Sequence, residues 1–201
     1  PLFQATLFLQ GAHLTHFAPK DERNWLWLSG LARFQPGRAI RGGIPVCWPW
    51  FGDPLRNPPE IRKRIASSSA HGFARTALWR LEDVQESAHE VEISLSLSAN
   101  DDFQEHWDGH ALALITFSFS IRGCQIALTT TNLSKAPLAF SQALHTYLAW
   151  PWVVLIVSPL CLHTGLWPAV GRMRGDGARA VGVRVSDRTA DCIIMNARAS
   201  V

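Results

Sequence analysis

Apolar and polar side chains alternate without a break from Val91 to Ser98. That period of two places them on opposite faces of an extended strand and predicts a half-buried β-strand. From Ala111 to Thr131, two runs rich in Ile, Phe and Thr flank Arg122-Gly123, where glycine can take the backbone of a tight reversal, so a β-hairpin is expected. Ala5 to Leu9 and His13 to Phe17 bracket Gln10-Gly11 in the same manner, and Trp25 to Leu28 reads as a further short strand. No segment carries the period of a long amphipathic helix. Short strands separated by turn signals predict an all-β, antiparallel sandwich or barrel.

Two stretches break this pattern. Between Gln35 and Ala70 the chain becomes a loop dense in Gly, Pro and Arg, and long structured loops on rigid sheets are where binding groups concentrate. From Gly171 to Arg188 arginine and glycine dominate and strand periodicity is poor.

Composition adds constraints. With 201 residues, 47% of them hydrophobic, the chain can bury one sizeable core, and residues 1–201 are expected to form a single domain. The 19 basic and 16 acidic residues are mostly interleaved and the net charge is only +3, which argues against a broad surface for nucleic acid or anionic lipid. Cys47, Cys124, Cys161 and Cys192 form no CxxC pair, so reduced thiols in a cytoplasmic protein are expected. No signal-peptide pattern opens the sequence at Pro1, and the longest apolar stretch, Leu148 to Leu162, is short for a bilayer and carries Pro151 and Pro159. A soluble protein is the expectation, with no membrane partner.

Three short segments could carry chemistry. Arg41-Gly42-Gly43-Ile44-Pro45 sets a guanidinium beside two glycines, which lets backbone and a forked donor approach an anion closely; a plain surface turn is the alternative. In His71-Gly72-Phe73-Ala74-Arg75 an imidazole and a second guanidinium stand four residues apart and could share a pocket, or could be a structural histidine and a solvated arginine. Ala143-Leu144-His145-Thr146-Tyr147 places a histidine on an expected strand, where a satisfied core residue competes with an acid or base that titrates near neutrality. The histidines show no metal-ligand spacing, and neither a phosphate-binding glycine loop nor a GxSxG elbow is present, so no metal and no nucleotide site of the usual glycine-loop kind are expected.

Taken together, the RGGIPVCWPWFG, HGFAR and ALHTY blocks resemble the hexose-6-phosphate mutarotase family, the glucose-6-phosphate 1-epimerases, in order and spacing. Gly11-Ala12-His13 and Leu26-Trp27-Leu28-Ser29 also look like that family's opening strands. The resemblance covers roughly residues 5 to 150. It implies a galactose-mutarotase-like antiparallel β-sandwich, incomplete at its C-terminus, which binds a phosphorylated hexose and interconverts its α and β anomers without a cofactor; a monomer is expected. It further implies that Arg41 and Arg75 grip the phosphate, that His71 lines the sugar site, and that His145 is the catalytic acid. Where the family often has a polar residue before the first of these histidines, this chain has Ala70.

After Trp150 the likeness weakens, and Pro151 to Val157 replaces the family's polar stretch. Asp187 to Ala197 resembles a later segment near a substrate-contacting aspartate, which the resemblance assigns to Asp191. The family's catalytic base is a glutamate further on. All seven glutamates of this chain precede His145, so the resemblance leaves the base unassigned and makes a non-catalytic sugar-phosphate-binding protein the competing expectation. A glycoside hydrolase is disfavoured because no pair of carboxylates stands out.

Overall fold

The computed structural model describes residues 2–100, 103–149, 183–185 and 192–197. Its architecture is two four-stranded antiparallel sheets and a short two-stranded ribbon. One sheet contains β1 (Phe3–Phe8), β2 (His13–Pro19), β9 (Val183–Val185) and β10 (Cys192–Ala197), in the order β2-β1-β10-β9. The other runs β4-β5-β6-β7, from β4 (Arg80–Glu86), β5 (Glu90–Ala99), β6 (Ala111–Ser120) and β7 (Gly123–Asn132). β3 (Val46–Cys47) and β8 (Ala143–Leu144) form the ribbon. The only α-helix among the described residues is the four-residue Pro59–Arg62.

The second sheet follows its alternation closely. Val91, Ile93, Leu95, Leu97 and Ala99 of β5 lie opposite Phe119, Phe117, Ile115, Ala113 and Ala111 of β6, and all ten side chains are buried. The intervening serines and threonines point away; Ser94 and Thr116, paired across the strands, share a hydrogen bond of 2.9 Å. This is how same-face cross-strand pairs build one apolar layer. The first sheet closes over it: Phe119 stacks on Phe3 and Phe17, with ring centroids 6.0 and 5.8 Å apart. A sandwich results, with a continuous core between the sheets.

The expected hairpin is present, with Ile121-Arg122 as the link and Gly123 opening β7. The strands on either side of Gln10-Gly11 are β1 and β2. Trp25 to Leu28 makes only isolated bridges, Leu26 to Leu148 and Leu28 to Gly42, in place of a regular ladder. β4 has no counterpart in the sequence reading, because its side chains are almost all exposed and leave no apolar period to detect. Among the described residues no helix is long and apolar enough to cross a membrane.

Candidate functional site

The ribbon sets out the site. Val46 pairs with Leu144 and Cys47 with Ala143, and the pairing continues upstream as the His145 N–H donates to the Pro45 carbonyl (3.1 Å) and the Tyr147 N–H to the Gly43 carbonyl (2.9 Å). A third segment joins it: the Trp27 N–H donates to the Tyr147 carbonyl (2.9 Å), and the Gly43 N–H to the Trp27 carbonyl (2.8 Å). His145 is therefore held at the end of a hydrogen-bonded strand. On its other flank, Ser141 Oγ donates to Asn57 Oδ1 (2.8 Å) and accepts the Phe51 N–H (3.0 Å), tying the Pro49–Phe51 loop to the strand.

His71 enters from the Gln35–Ala70 loop's far end. Its φ of 68° is left-handed, as is that of Gly72 at 67°. A side chain at Gly72 would run into the Trp48 carbonyl, so glycine is required where the backbone passes this close. His71 and Gly52 exchange two bonds: the His71 N–H donates to the Gly52 carbonyl (2.9 Å), and the Gly52 N–H donates to His71 Nδ1 (3.1 Å). Since Nδ1 accepts, the neutral ring carries its proton on Nε2 and can offer it as a donor.

The two imidazoles are neighbours, with ring centroids 6.1 Å apart and planes inclined at 52°. Phe51 lies 5.1 Å from His71 and 6.2 Å from His145, and Tyr147 lies 4.8 Å from His145. Arg75 is the local cation. Its Nη2 donates to the Ala70 carbonyl (2.9 Å), while its Nε is buried without a hydrogen-bond partner among the described residues. Ala70 thus contributes through its backbone, whatever its side chain.

Burial lowers the pKa of both histidines, chiefly by desolvating the charged ring, and the Arg75 charge lowers both further. For His71 the neighbouring His145 adds to the effect; for His145 a bond to its own backbone opposes it. Below the site, burial pushes the Cys47 thiol up to about 12 against the opposing pull of Arg75, so this cysteine is an inert core group.

The structure therefore brings together His71, Arg75 and His145, drawn from two of the three segments singled out in the sequence. Arg41 is placed differently. Its carbonyl accepts the Ser29 N–H (3.0 Å) and its side chain is exposed, making no hydrogen bond or ion pair among the described residues. Asp191 lies outside the described residues. Phe51, Gly52 and Tyr147 were not singled out as contributors. Their apolar or turn-forming character reads as core or loop, and only the long-range contacts show them to be neighbours of the histidines. Among the described residues no group of three or more His, Cys, Asp or Glu side chains could hold a metal ion.

Among the described residues the arrangement offers a guanidinium without an ion-pair partner, one imidazole fixed as an Nε2–H donor, and a second imidazole beside it. That combination suits an anionic ligand bearing hydroxyl groups.

Comparison with known proteins bears on this directly. The aldose 1-epimerase family profile matches residues 1–153. A protein of Escherichia coli (strain K12) named "Putative glucose-6-phosphate 1-epimerase" is 37% identical over 147 residues, 73% of this chain and 45% of its own length. Among solved structures, a "putative mutarotase" from Salmonella typhimurium superposes with a TM-score of 0.63 at 33% identity, over 74% of this chain and 45% of that one. A galactose mutarotase related enzyme from Lactobacillus acidophilus, 15% identical, shares the fold with a TM-score of 0.56 over 75% of this chain and 47% of its own. The chain spans a little under half the length of these relatives. With its galactose-mutarotase-like sandwich and a profile match through residue 153, the chain belongs to the aldose 1-epimerase family.

Proposed function

We propose that this chain supplies the phosphate grip and the acid of a mutarotase that interconverts the α and β anomers of hexose 6-phosphates. One observation carries the reading: Arg75 stands beside two imidazoles, with its buried Nε unmatched by any acceptor among the described residues. In this reading Arg75 holds the phosphate, His71 Nε2–H donates to a sugar hydroxyl, and His145 works at the ring oxygen.

Ring opening moves two protons. A base takes the proton of the anomeric hydroxyl, the bond from the anomeric carbon to the ring oxygen breaks as the carbonyl forms, and His145 delivers a proton to that oxygen. Rotation of the aldehyde and the reverse transfers close the other anomer, so no cofactor is consumed. Desolvation and Arg75 hold His145 below its ordinary pKa in the free protein, and a phosphate dianion on Arg75 would offset the second of these and favour the protonated acid. A cytoplasmic setting belongs to the same reading, supported by the free thiols of Cys47 and Cys124.

Two-dimensional exchange NMR of glucose 6-phosphate tests the catalytic claim. The expected result is anomeric exchange faster than in buffer, falling by roughly 10²–10⁴ in His145→Ala. Exchange at the buffer rate, or unchanged by that substitution, contradicts it. A second reading uses the Arg75 cation and its imidazole neighbours for binding alone. The site would then bind sugar phosphates without catalysis, seen in calorimetry as binding that Arg75→Ala abolishes while no exchange occurs.

A further inference from the structure

Trp27 and Tyr147 are 45% and 38% exposed, whereas Trp48, Trp50, Trp79 and Trp107 are fully buried. They are neighbours, with ring centroids 5.9 Å apart. Nor are they an isolated patch. Tyr147 lies 4.8 Å from His145, which lies 6.1 Å from His71, so the two exposed rings adjoin the paired imidazoles. The backbone fixes them side by side, because Trp27 and Tyr147 are joined to each other and both are joined to Gly43 by hydrogen bonds of 2.8–2.9 Å. Gly43 follows Arg41-Gly42 directly, so the pair is bonded to the segment that carries Arg41.

A pyranose has two kinds of surface: a rim of hydroxyls and an apolar face of C–H groups. The candidate site already offers donors and a cation for the rim and the phosphate. What a sugar ring further requires is a flat apolar surface beside the reacting histidine, and aromatic rings supply it at low cost in side-chain entropy. We infer that Trp27 and Tyr147 form the stacking wall against which the pyranose ring of the hexose 6-phosphate lies, Trp27 being a specificity-determining residue that distinguishes sugar phosphate from bare phosphate. This inference rests on the proposed sugar-phosphate function and adds the face by which the ring is held.

Calorimetric titration of the chain with glucose 6-phosphate and, separately, with inorganic phosphate tests it. Trp27 is exposed, so its substitution leaves the core intact, and Trp27→Phe keeps a ring in place. The expected result is that Trp27→Ala weakens glucose 6-phosphate binding about tenfold, as burial of one ring face suggests, and leaves phosphate binding unchanged, while Trp27→Phe binds close to wild type. Glucose 6-phosphate binding that is indifferent to Trp27→Ala, or an equal loss for both ligands, overturns the stacking wall and leaves the sugar-phosphate reading standing. Failure of the unsubstituted chain to bind either ligand overturns both.

Discussion

His13 Nε2 lies 2.7 Å from the Gly42 carbonyl oxygen, and the histidine that makes this bond is fully buried. As the carbonyl can only accept, Nε2 is the donor, which leaves Nδ1 as a buried nitrogen without a partner among the described residues. A Cβ on Gly43 would come within 2.9 Å of Nε2 and nearer still to the Leu14 carbonyl, so ring and glycine turn are fitted to one another. The bond joins β2 to the segment that carries Arg41. Replacing His13 by Ala is expected to destabilise the protein by about 2–4 kcal/mol, from lost packing and an abandoned buried bond. Urea unfolding measures this, and a change below about 0.5 kcal/mol would contradict it.

The same burial makes stability sensitive to acid. Desolvation, only partly offset by the Gly42 bond, holds the His13 pKa at about 4 against an ordinary 6.5. Between those values the unfolded chain binds the proton that the folded chain refuses, so the contribution is complete above 6.5 and is lost as pH falls toward 4. The shift corresponds to about 3 kcal/mol. His71 and His145 act in the same direction, so the informative quantity is the difference between wild type and His13→Gln. Denaturation at several pH values should show a shallower acid decline in the variant; parallel curves would contradict the assignment.

Two left-handed glycines of the site should respond differently to alanine. At Gly72, with φ of 67°, the new methyl group meets the Trp48 carbonyl, whereas at Gly52, with φ of 71°, nothing lies within 4 Å. Gly52→Ala should cost about 1–2 kcal/mol for the backbone conformation alone. Gly72→Ala should cost clearly more, because the backbone must also move. Thermal unfolding of both variants distinguishes them, and equal effects would show that the close approach is not rigid.

Arg75 depresses both site histidines by its charge, after desolvation at His71 and, at His145, after both desolvation and the opposing bond to its own backbone. Arg75→Met keeps much of the side chain's bulk and removes the charge. The titration midpoints of His71 and His145, followed by their ring proton resonances, should both rise, with neither exceeding the value of an exposed imidazole while desolvation persists. Unmoved midpoints would mean that the guanidinium is not their electrostatic neighbour.

How far the sequence foretold these relationships depended on the range of the interaction. β5, β6 and β7 were legible because the β5–β6 core writes its alternation directly into Val91–Ala99 and Ala111–Phe119. β4 was hidden by its exposure, and the two-residue strands β3 and β8 are too short to show a period. His71 and Arg75 were readable as a pair, being four residues apart, and the structure does place them together with His145. The bonds that orient them were not readable: His13 to Gly42 spans 29 positions and Gly52 to His71 spans 19, and no local pattern encodes either. Trp27 and Tyr147 read as strand residues because exposure, which gives them their interest, is a property of the folded surface.

The central claim is that Arg75 and the neighbouring imidazoles form a sugar-phosphate site, and the most direct measurement is a glucose 6-phosphate titration monitored at the assigned His71 and His145 ring protons. The account predicts that both resonances shift saturably and that the His145 midpoint rises in the bound state, as the phosphate offsets the Arg75 charge. Resonances and midpoints that stay unchanged at saturating glucose 6-phosphate would contradict it.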